Sequence, residues 1–357
     1  MTIRLYGGWS VDAQAPAPYS GVLYAVDYPE DSSPREESGI PPLRLTSYSG
    51  RLAGGDPAAR ATFLSPVGLK RLSRSATHYT TQVQHLRHRI LAGDLFQANL
   101  SREITVDLPG ATRADVTGFA ERLFARERPA FGAIIQHPGQ TIISASPERF
   151  FRAEPTPAGT KITAEPIKGT RPRSTDPTED ARLAAELQAS EKDRAENVMI
   201  ADLVRNDLSK VCTDDSVHVE RLCELRSFPK VHHLVTTVTG ILRPGVTIED
   251  AFWAQFPCGS ITGAPKLAAM DLIAELEQRD RGIYCGAIGY ITDDGYADFS
   301  VAIRTATVDY HADGATMRFG VGGGVTALSD PEAEYQETVD KARVFLDALE
   351  REAAAAA

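Results

Sequence analysis

The chain is poor in cysteine and tryptophan and has no long apolar run. Four cysteines, Cys212, Cys223, Cys258 and Cys285, stand among 357 residues. Their separations match neither a metal-ligand motif nor a dense disulfide framework, so they read as reduced thiols of a cytoplasmic protein. No stretch approaches the ~20 apolar residues of a membrane-spanning helix. The N-terminus, MTIRLYGGWSVDAQAPAP, lacks an apolar signal core. Positive charge is in deficit: 38 Lys and Arg against 48 Asp and Glu leave a net charge of −10. That balance excludes a broad basic face for nucleic acid, and it means that an anionic ligand must be held by local cations. No internal repeat is present. Two phosphate-loop signatures also fail. The run Gly259–Gly263 is too short for a Walker loop, and GVGGGV has Val325 where a dinucleotide fingerprint needs glycine.

What is present is a chain of ordinary globular composition, 42% hydrophobic and 24% charged, long enough for one large domain or two smaller ones. The most informative stretch is residues 164–208. Pro166 fixes φ at about −65°, and Gly169 allows conformations that a β-carbon forbids. Lys168 between them is expected in a tight turn with its side chain projecting. Arg171 and Arg173 follow, and a lysine crowded by cations has its pKa lowered, one route to a neutral amine nucleophile. A basic surface turn is the plainer alternative. From Glu191 to Leu208 the pattern predicts a helix with Met199, Leu203, Ile200 and Val204 inward. It places Asp193 and Glu196 on one face, where Lys192 and Arg194 offer ordinary pairs.

Taken in order, GVLYAVDY predicts a strand, and a Pro/Ser/Glu-rich loop, PEDSSPREESGIPP, follows it. Residues 77–92 predict a helix with Val83, Leu86, Ile90 and Leu91 buried, stopped at Gly93-Asp94. LFQANLSREITVDL predicts a strand carrying Gln97, and residues 114–128 a second helix. A hairpin turns at His137-Pro138-Gly139, and its second strand ends in Ser146-Pro147-Glu148-Arg149, where Glu148 reads as a carboxylate paired with Arg149. VHVERLCELRSFPKVHHLVTTVTGIL predicts two strands, with His233 on the second. In FPCGSITGAPK a Gly-rich loop meets a helix N-terminus, and Ser260 and Thr262 make it a natural anion site. RGIYCGAIGYITDDGYADFSVAIRTATV predicts a hairpin turning at Asp293-Asp294-Gly295. Arg304 lies between Ala302 and Ala306 on one strand face, with room for a planar carboxylate, and Tyr290 is close by. Gly322 and Gly323 allow backbone N–H groups to approach a carboxylate. Ser329-Asp330-Pro331 opens the last helix, on which Glu334, Glu337 and Lys341 share a side. The terminal AAAAA is expected to fray. The domain reading is a short N-terminal part completing the fold (1–76), a catalytic domain (77–352) and an Ala-rich tail (353–357).

Four of these segments, PIKGTRPR, KDRAENVMIADLVRNDL, FPCGSITGAPK and DPEAEYQET, occur in order and at compatible spacing. Over residues 77–350 the chain resembles the chorismate-utilising enzymes, most closely the aminodeoxychorismate synthase component I branch. The resemblance implies an α+β fold: two large, mostly antiparallel sheets packed together, with helices outside. It implies conversion of chorismate and ammonia to 4-amino-4-deoxychorismate, a precursor of p-aminobenzoate and folate. The ammonia would come from a separate glutamine amidotransferase subunit, since no GxCxG elbow of such an enzyme occurs here. In this reading Lys168 is the nucleophile, and Glu148 the general acid that protonates the leaving hydroxyl. Gln97 marks the ammonia-adding branch, because water-adding relatives place a lysine base there. His233, Ser260, Thr262, Tyr290, Arg304, Gly322, Gly323 and Lys341 surround the substrate. Glu196 and Glu337 ligate Mg²⁺ directly, and Asp193 and Glu334 do so through water. Cys258 departs from the family, which usually has glycine there. Anthranilate synthase component I, which carries alanine in place of the lysine, and a non-catalytic chorismate-binding subunit are the alternatives.

Overall fold

The computed structural model describes residues 75–356, and the backbone alone of three earlier segments, 2–7, 21–26 and 46–47. The predicted Pro/Ser/Glu-rich loop lies outside the described residues. The three segments are strands β1 (Thr2–Gly7), β2 (Gly21–Val26) and β3 (Thr46–Ser47). Then come helix α1 (Ala76–Leu91), strand β4 (Gln97–Pro109), helix α2 (Arg113–Glu127) and the hairpin β5 (Phe131–His137) and β6 (Gln140–Ser146). Strands β7 (Arg149–Thr156), β8 (Gly159–Ala164) and β9 (Ile167–Pro172) lead to helices α3 (Pro177–Ala189) and α4 (Glu191–Ser209). The second half holds β10 (His218–Ser227), β11 (Val231–Ile241), α5 (Ile248–Gln255), β12 (Gly263–Ala264) and α6 (Lys266–Glu277). It closes with β13 (Ala287–Thr292), β14 (Ala297–Val301), β15 (Thr305–His311), β16 (Gly314–Val325) and α7 (Pro331–Ala356).

Among the described residues the strands form two antiparallel sheets. The seven-stranded sheet has the order β1-β5-β6-β15-β16-β4-β12; the nine-stranded sheet has the order β10-β11-β8-β7-β14-β13-β2-β3, with β9 added on β11. Alternating side chains build the layers. On β5 and β6, Phe131, Ala133, Ile135 and Ile142 meet Ile288 and Tyr290 of β13 between the sheets. Their neighbours Ile134, Ile143 and Ala145 point the other way, onto Phe119 and Leu123 of α2 and Phe345 of α7. On the outer face of the nine-stranded sheet, Phe151 and Phe299 stack at 5.1 Å and pack with Ile200, Val204 and Leu208 of α4 and Phe252 of α5. Removing such a wholly buried ring costs about 3–5 kcal/mol. The predicted α+β architecture of two antiparallel sheets with outer helices is therefore present. No helix among the described residues is long and apolar enough to cross a membrane.

Several expectations differ in detail. Lys168 lies on a strand, β9, and not in a tight turn. Gly169 takes φ +86° there, opposite a register shift in β11, and a β-carbon on it would press to 2.9 Å from both Asp193 and Leu187. Leu91 is exposed, because it lies one position round from the buried stripe of Tyr79, Val83, Leu86 and Ile90. On α4 the buried stripe includes Asn197, Ile200, Ala201, Val204 and Leu208: the predicted Ile200 and Val204 belong to it, while Met199 and Leu203, one position round, are half-buried. Helix α3 was not predicted, although its start carries a sequence signal: Asp176 caps it and Pro177 occupies its first turn. The alanine tail continues α7 to Ala356. Arg304 is not on a strand face. Residues 302–304 carry the chain from β14 in one sheet to β15 in the other, and Arg304 sits in that crossover at φ +49°.

Candidate active site

A cavity of about 770 Å³ opens where α4, α7, β9, β16 and the Gly259–Ile261 turn converge. Its wall includes Glu148, Lys168, Asp193, Glu196, His233, Ser260, Arg304, Gly322, Glu334, Glu337 and Lys341. Residues scattered over nearly the whole described chain are thus brought to one space.

Lys168 enters from β9, and its Nζ donates to the Ser260 carbonyl at 3.3 Å. The predicted crowding by arginines is absent. Arg171 is taken by Glu186 at 2.8 Å and Asp193 at 3.4 Å, and Arg173 by Asp180 at 2.8 Å. These ion pairs tie β9 to α3 and α4. The charges facing Lys168 are carboxylates instead: Glu148, Glu196 and Glu337 all feel its field.

Glu148 follows the end of β6 and is 6% exposed. It does not pair with Arg149, which turns the other way to Asp298 at 2.9 Å and Glu165 at 2.7 Å. Burial pushes its carboxyl above the usual range, against the opposing pull of the Ser260 hydroxyl and Lys168. Its Oε1 has no hydrogen-bond partner. Gln97, at the start of β4, is wholly buried, and neither end of its amide is bonded. It stands over Gly324: a β-carbon there would lie 3.3 Å from Gln97 Nε2 and 3.4 Å from Lys168 Nζ.

Four carboxylates line one side. Glu334 and Glu337, one turn apart on α7, lie over Gly323, 3.0 and 3.2 Å from the place of its absent β-carbon. Lys341 holds Glu337 at 2.6 Å and also donates to the Gly322 carbonyl at 2.7 Å. Burial raises the Glu334 carboxyl, and the neighbouring Glu337 adds to it. Burial raises Glu196 as well, against Lys168 and Lys192. Glu337 also feels burial, but Lys341 outweighs it and holds this carboxylate below its ordinary value. Among the described residues no three such groups stand together as a ready-made metal cage. The donor set still fits a hard cation that keeps its water. All donors are oxygens, Glu334 Oε2 is buried without a partner, and Mg²⁺ takes one or two carboxylates plus waters and a ligand anion.

On the opposite side, His233 Nδ1 meets the Thr170 hydroxyl at 2.9 Å, and burial lowers its pKa. Arg304 opens into the cavity and makes no ion pair among the described residues. Two predicted residues stand apart. Thr262 turns its hydroxyl onto the Cys258 carbonyl at 3.0 Å, bracing the loop from within. Tyr290 packs between the sheets with Ile288 and Phe131, because strand parity points it away from the cavity. Asn99 and Lys192 line the cavity and were not predicted. The signal for Asn99 was period-two alternation, which puts it on the face of Gln97.

The family model for chorismate binding enzymes matches residues 28–347. The chain is 42% identical over 312 residues to anthranilate synthase component 1 of Streptomyces coelicolor, covering 87% of this chain and 58% of that protein. It is 44% identical over 269 residues to aminodeoxychorismate synthase component 1 of Salmonella typhimurium, covering 75% and 56%. The chain thus spans little more than half the length of these relatives. The crystal structure of anthranilate synthase component I from Streptococcus pneumoniae superposes with a TM-score of 0.73 at 26% identity, covering 94% of this chain and 82% of that one.

Proposed function

The chain belongs to the chorismate binding enzyme family, and from that premise we propose that it aminates chorismate at C4, as component I of an aminodeoxychorismate synthase. The observation that carries this reading is the meeting of Lys168 and the buried Glu148 at one cavity, with the Gln97 amide beside Lys168 over Gly324. Lys168 adds its amine to C2, the ring double bonds shift, and Glu148 gives its proton to the departing 4-hydroxyl, which leaves as water. A carboxyl whose hold on its proton is strengthened by burial suits that donation. Ammonia then adds at C4 and the Lys168 amine is expelled, which restores the enzyme. Ammonia is already a nucleophile, so a neutral amide such as Gln97 suffices beside it. Arg304 takes a substrate carboxylate. Glu196 and Glu337 directly, and Asp193 and Glu334 through water, would hold Mg²⁺, which would supply positive charge beside the ring carboxylate. A separate glutamine amidotransferase subunit supplies the ammonia.

The test incubates the purified chain with chorismate, ammonium and Mg²⁺, with a chelator control, and identifies products by mass spectrometry. The expected product has hydroxyl replaced by amine, keeps its enolpyruvyl group, and gives p-aminobenzoate with the downstream lyase. Lys168→Ala is expected to lose that product and to form some anthranilate. Anthranilate and pyruvate from the unaltered chain would overturn the assignment. So would chorismate binding without turnover under ammonium or glutamine plus an amidotransferase.

A further inference from the structure

The Gly259–Ile261 turn brings Ser260 to the cavity, yet it holds itself weakly. It is a single short turn, and its own backbone bonds are long. The Ile261 N–H donates to the Cys258 carbonyl at 3.3 Å and the Thr262 N–H to the Gly259 carbonyl at 3.4 Å. Its place is set from outside. Arg281, in the segment between α6 and β13, is buried against Glu277 of α6, and both side chains are 1% exposed. The pair is bidentate: Arg281 Nε meets Glu277 Oε2 at 3.0 Å, and Nη2 meets Oε1 at 2.6 Å. The same guanidinium reaches two further segments. Nη1 donates to the Ile261 carbonyl at 3.1 Å, and Nη2 donates to the Asn99 carbonyl of β4 at 2.6 Å. Glu277 is itself fixed to β4, where the Ser101 N–H and hydroxyl donate to it at 2.7 and 2.8 Å. Burial acts against this carboxylate, but Arg281 and Arg279 outweigh it and hold it below its ordinary value. The loop also touches β4 directly: the Asn99 N–H donates to the Thr262 carbonyl and the Phe96 N–H to the Ala264 carbonyl, each at 2.7 Å.

We propose that Arg281 is a positioning residue: it locks the Gly259–Ile261 turn onto β4 and so fixes the Ser260 carbonyl that receives Lys168. The inference rests on the role given to Lys168 above and deepens it. The Ser260 carbonyl accepts from Lys168 Nζ at 3.3 Å, one residue before the carbonyl that Arg281 holds. Asn99 lines the same cavity, and its backbone is gripped on both sides, by Thr262 and by Arg281. A rigid planar fork with five donors can serve a carboxylate and two carbonyls at once, which an ammonium cannot. Glu277 aims that fork and supplies the counter-charge that allows its burial. Arg281 thus acts through the turn and the strand, by hydrogen bonds alone.

The test compares two variants with the unaltered chain. Arg281→Lys keeps a positive charge beside Glu277 but loses the fork. Glu277→Gln keeps an oxygen for Ser101 but removes the charge that aims the guanidinium. The first readout needs no turnover. Amide hydrogen exchange, followed by mass spectrometry, should quicken about tenfold or more in peptides covering residues 96–99 and 258–264, and less than about twofold over β5 and β6. The second readout is kinetic. With the Lys168 acceptor displaced, kcat should fall about tenfold or more, while KM for chorismate should change less than about threefold. Unmoved exchange at 258–264 would overturn the proposal. Exchange that quickens equally in every peptide, or two variants that do not fold, would mark the ion pair as support for the whole fold and overturn it as well. So would an unchanged kcat beside quickened local exchange. Quickened local exchange in a chain that does not aminate chorismate would retain the lock on the turn and refute only the reaction.

Discussion

Gln97 and Lys168 meet over Gly324, with Nε2 and Nζ standing 3.3 and 3.4 Å from the place of its absent β-carbon. One comes from β4 and the other from β9, strands of different sheets. Gly324 keeps an ordinary φ, so alanine fits its backbone, and only the side chains above must yield. Gly324→Ala is expected to fold with a melting temperature within a few degrees of the unaltered chain. It should lose about tenfold or more in kcat, since misplacing the nucleophile by a fraction of an ångström is enough. Calorimetry beside steady-state kinetics checks it. Full activity would mean that this glycine does not set the lysine's position.

The raised Glu148 carboxyl predicts the pH dependence of stability. The folded protein binds this proton more tightly than the unfolded chain does, so Glu148 supports the fold below the ordinary carboxylate value. That support is lost as pH rises through the folded-state value. Glu148→Gln removes the titration. Its melting temperature relative to the unaltered chain should therefore climb through that window and level off above it, while amination is abolished. Denaturation scans from pH 4 to 8 test the sign. A difference that shrinks with rising pH would contradict the burial argument.

The carboxylates of α4 and α7 predict a metal effect that can be read without turnover. Binding only to the folded state stabilises it, by about 2.7 kcal/mol at a hundredfold excess over Kd. Mg²⁺ is expected to raise the melting temperature, and Glu196→Gln or Glu337→Gln to abolish the rise. In metal-free buffer Glu196→Gln should be no less stable than the parent, because burial and like-charged neighbours disfavour that carboxylate, whereas Glu337→Gln loses the Lys341 ion pair and should be slightly less stable. A Mg²⁺ shift retained in both variants would place the ion elsewhere.

Arg304 holds φ +49°, a conformation that glycine accepts more readily than a side-chain-bearing residue. Arg304→Gly should leave stability unchanged or raise it, yet raise KM for chorismate about tenfold or more through loss of a charge-assisted pair. Thermal unfolding and kinetics together check this. Loss of stability with KM unchanged would mark the arginine as structural.

Local pattern alone determined much of this protein. The turns between β5 and β6 and between β13 and β14, the helices α1, α2, α4 and α7, and the Glu337–Lys341 pair all follow from contacts within a few residues, which periodicity and capping report directly. The tertiary structure decided the rest. Arg171 and Arg173 looked like neighbours that perturb Lys168, but α3, nearby in sequence, supplies acids that take them away. Arg304 looked like part of a strand face with Tyr290 close by, but the chain changes sheets between β14 and β15, so Tyr290 is buried between layers and Arg304 opens on the cavity. Gln97, Glu148, Lys168 and the α7 carboxylates converge only because sheet register and crossovers join strands distant in sequence. Such joining depends on how whole faces pack, and no local spacing carries that information.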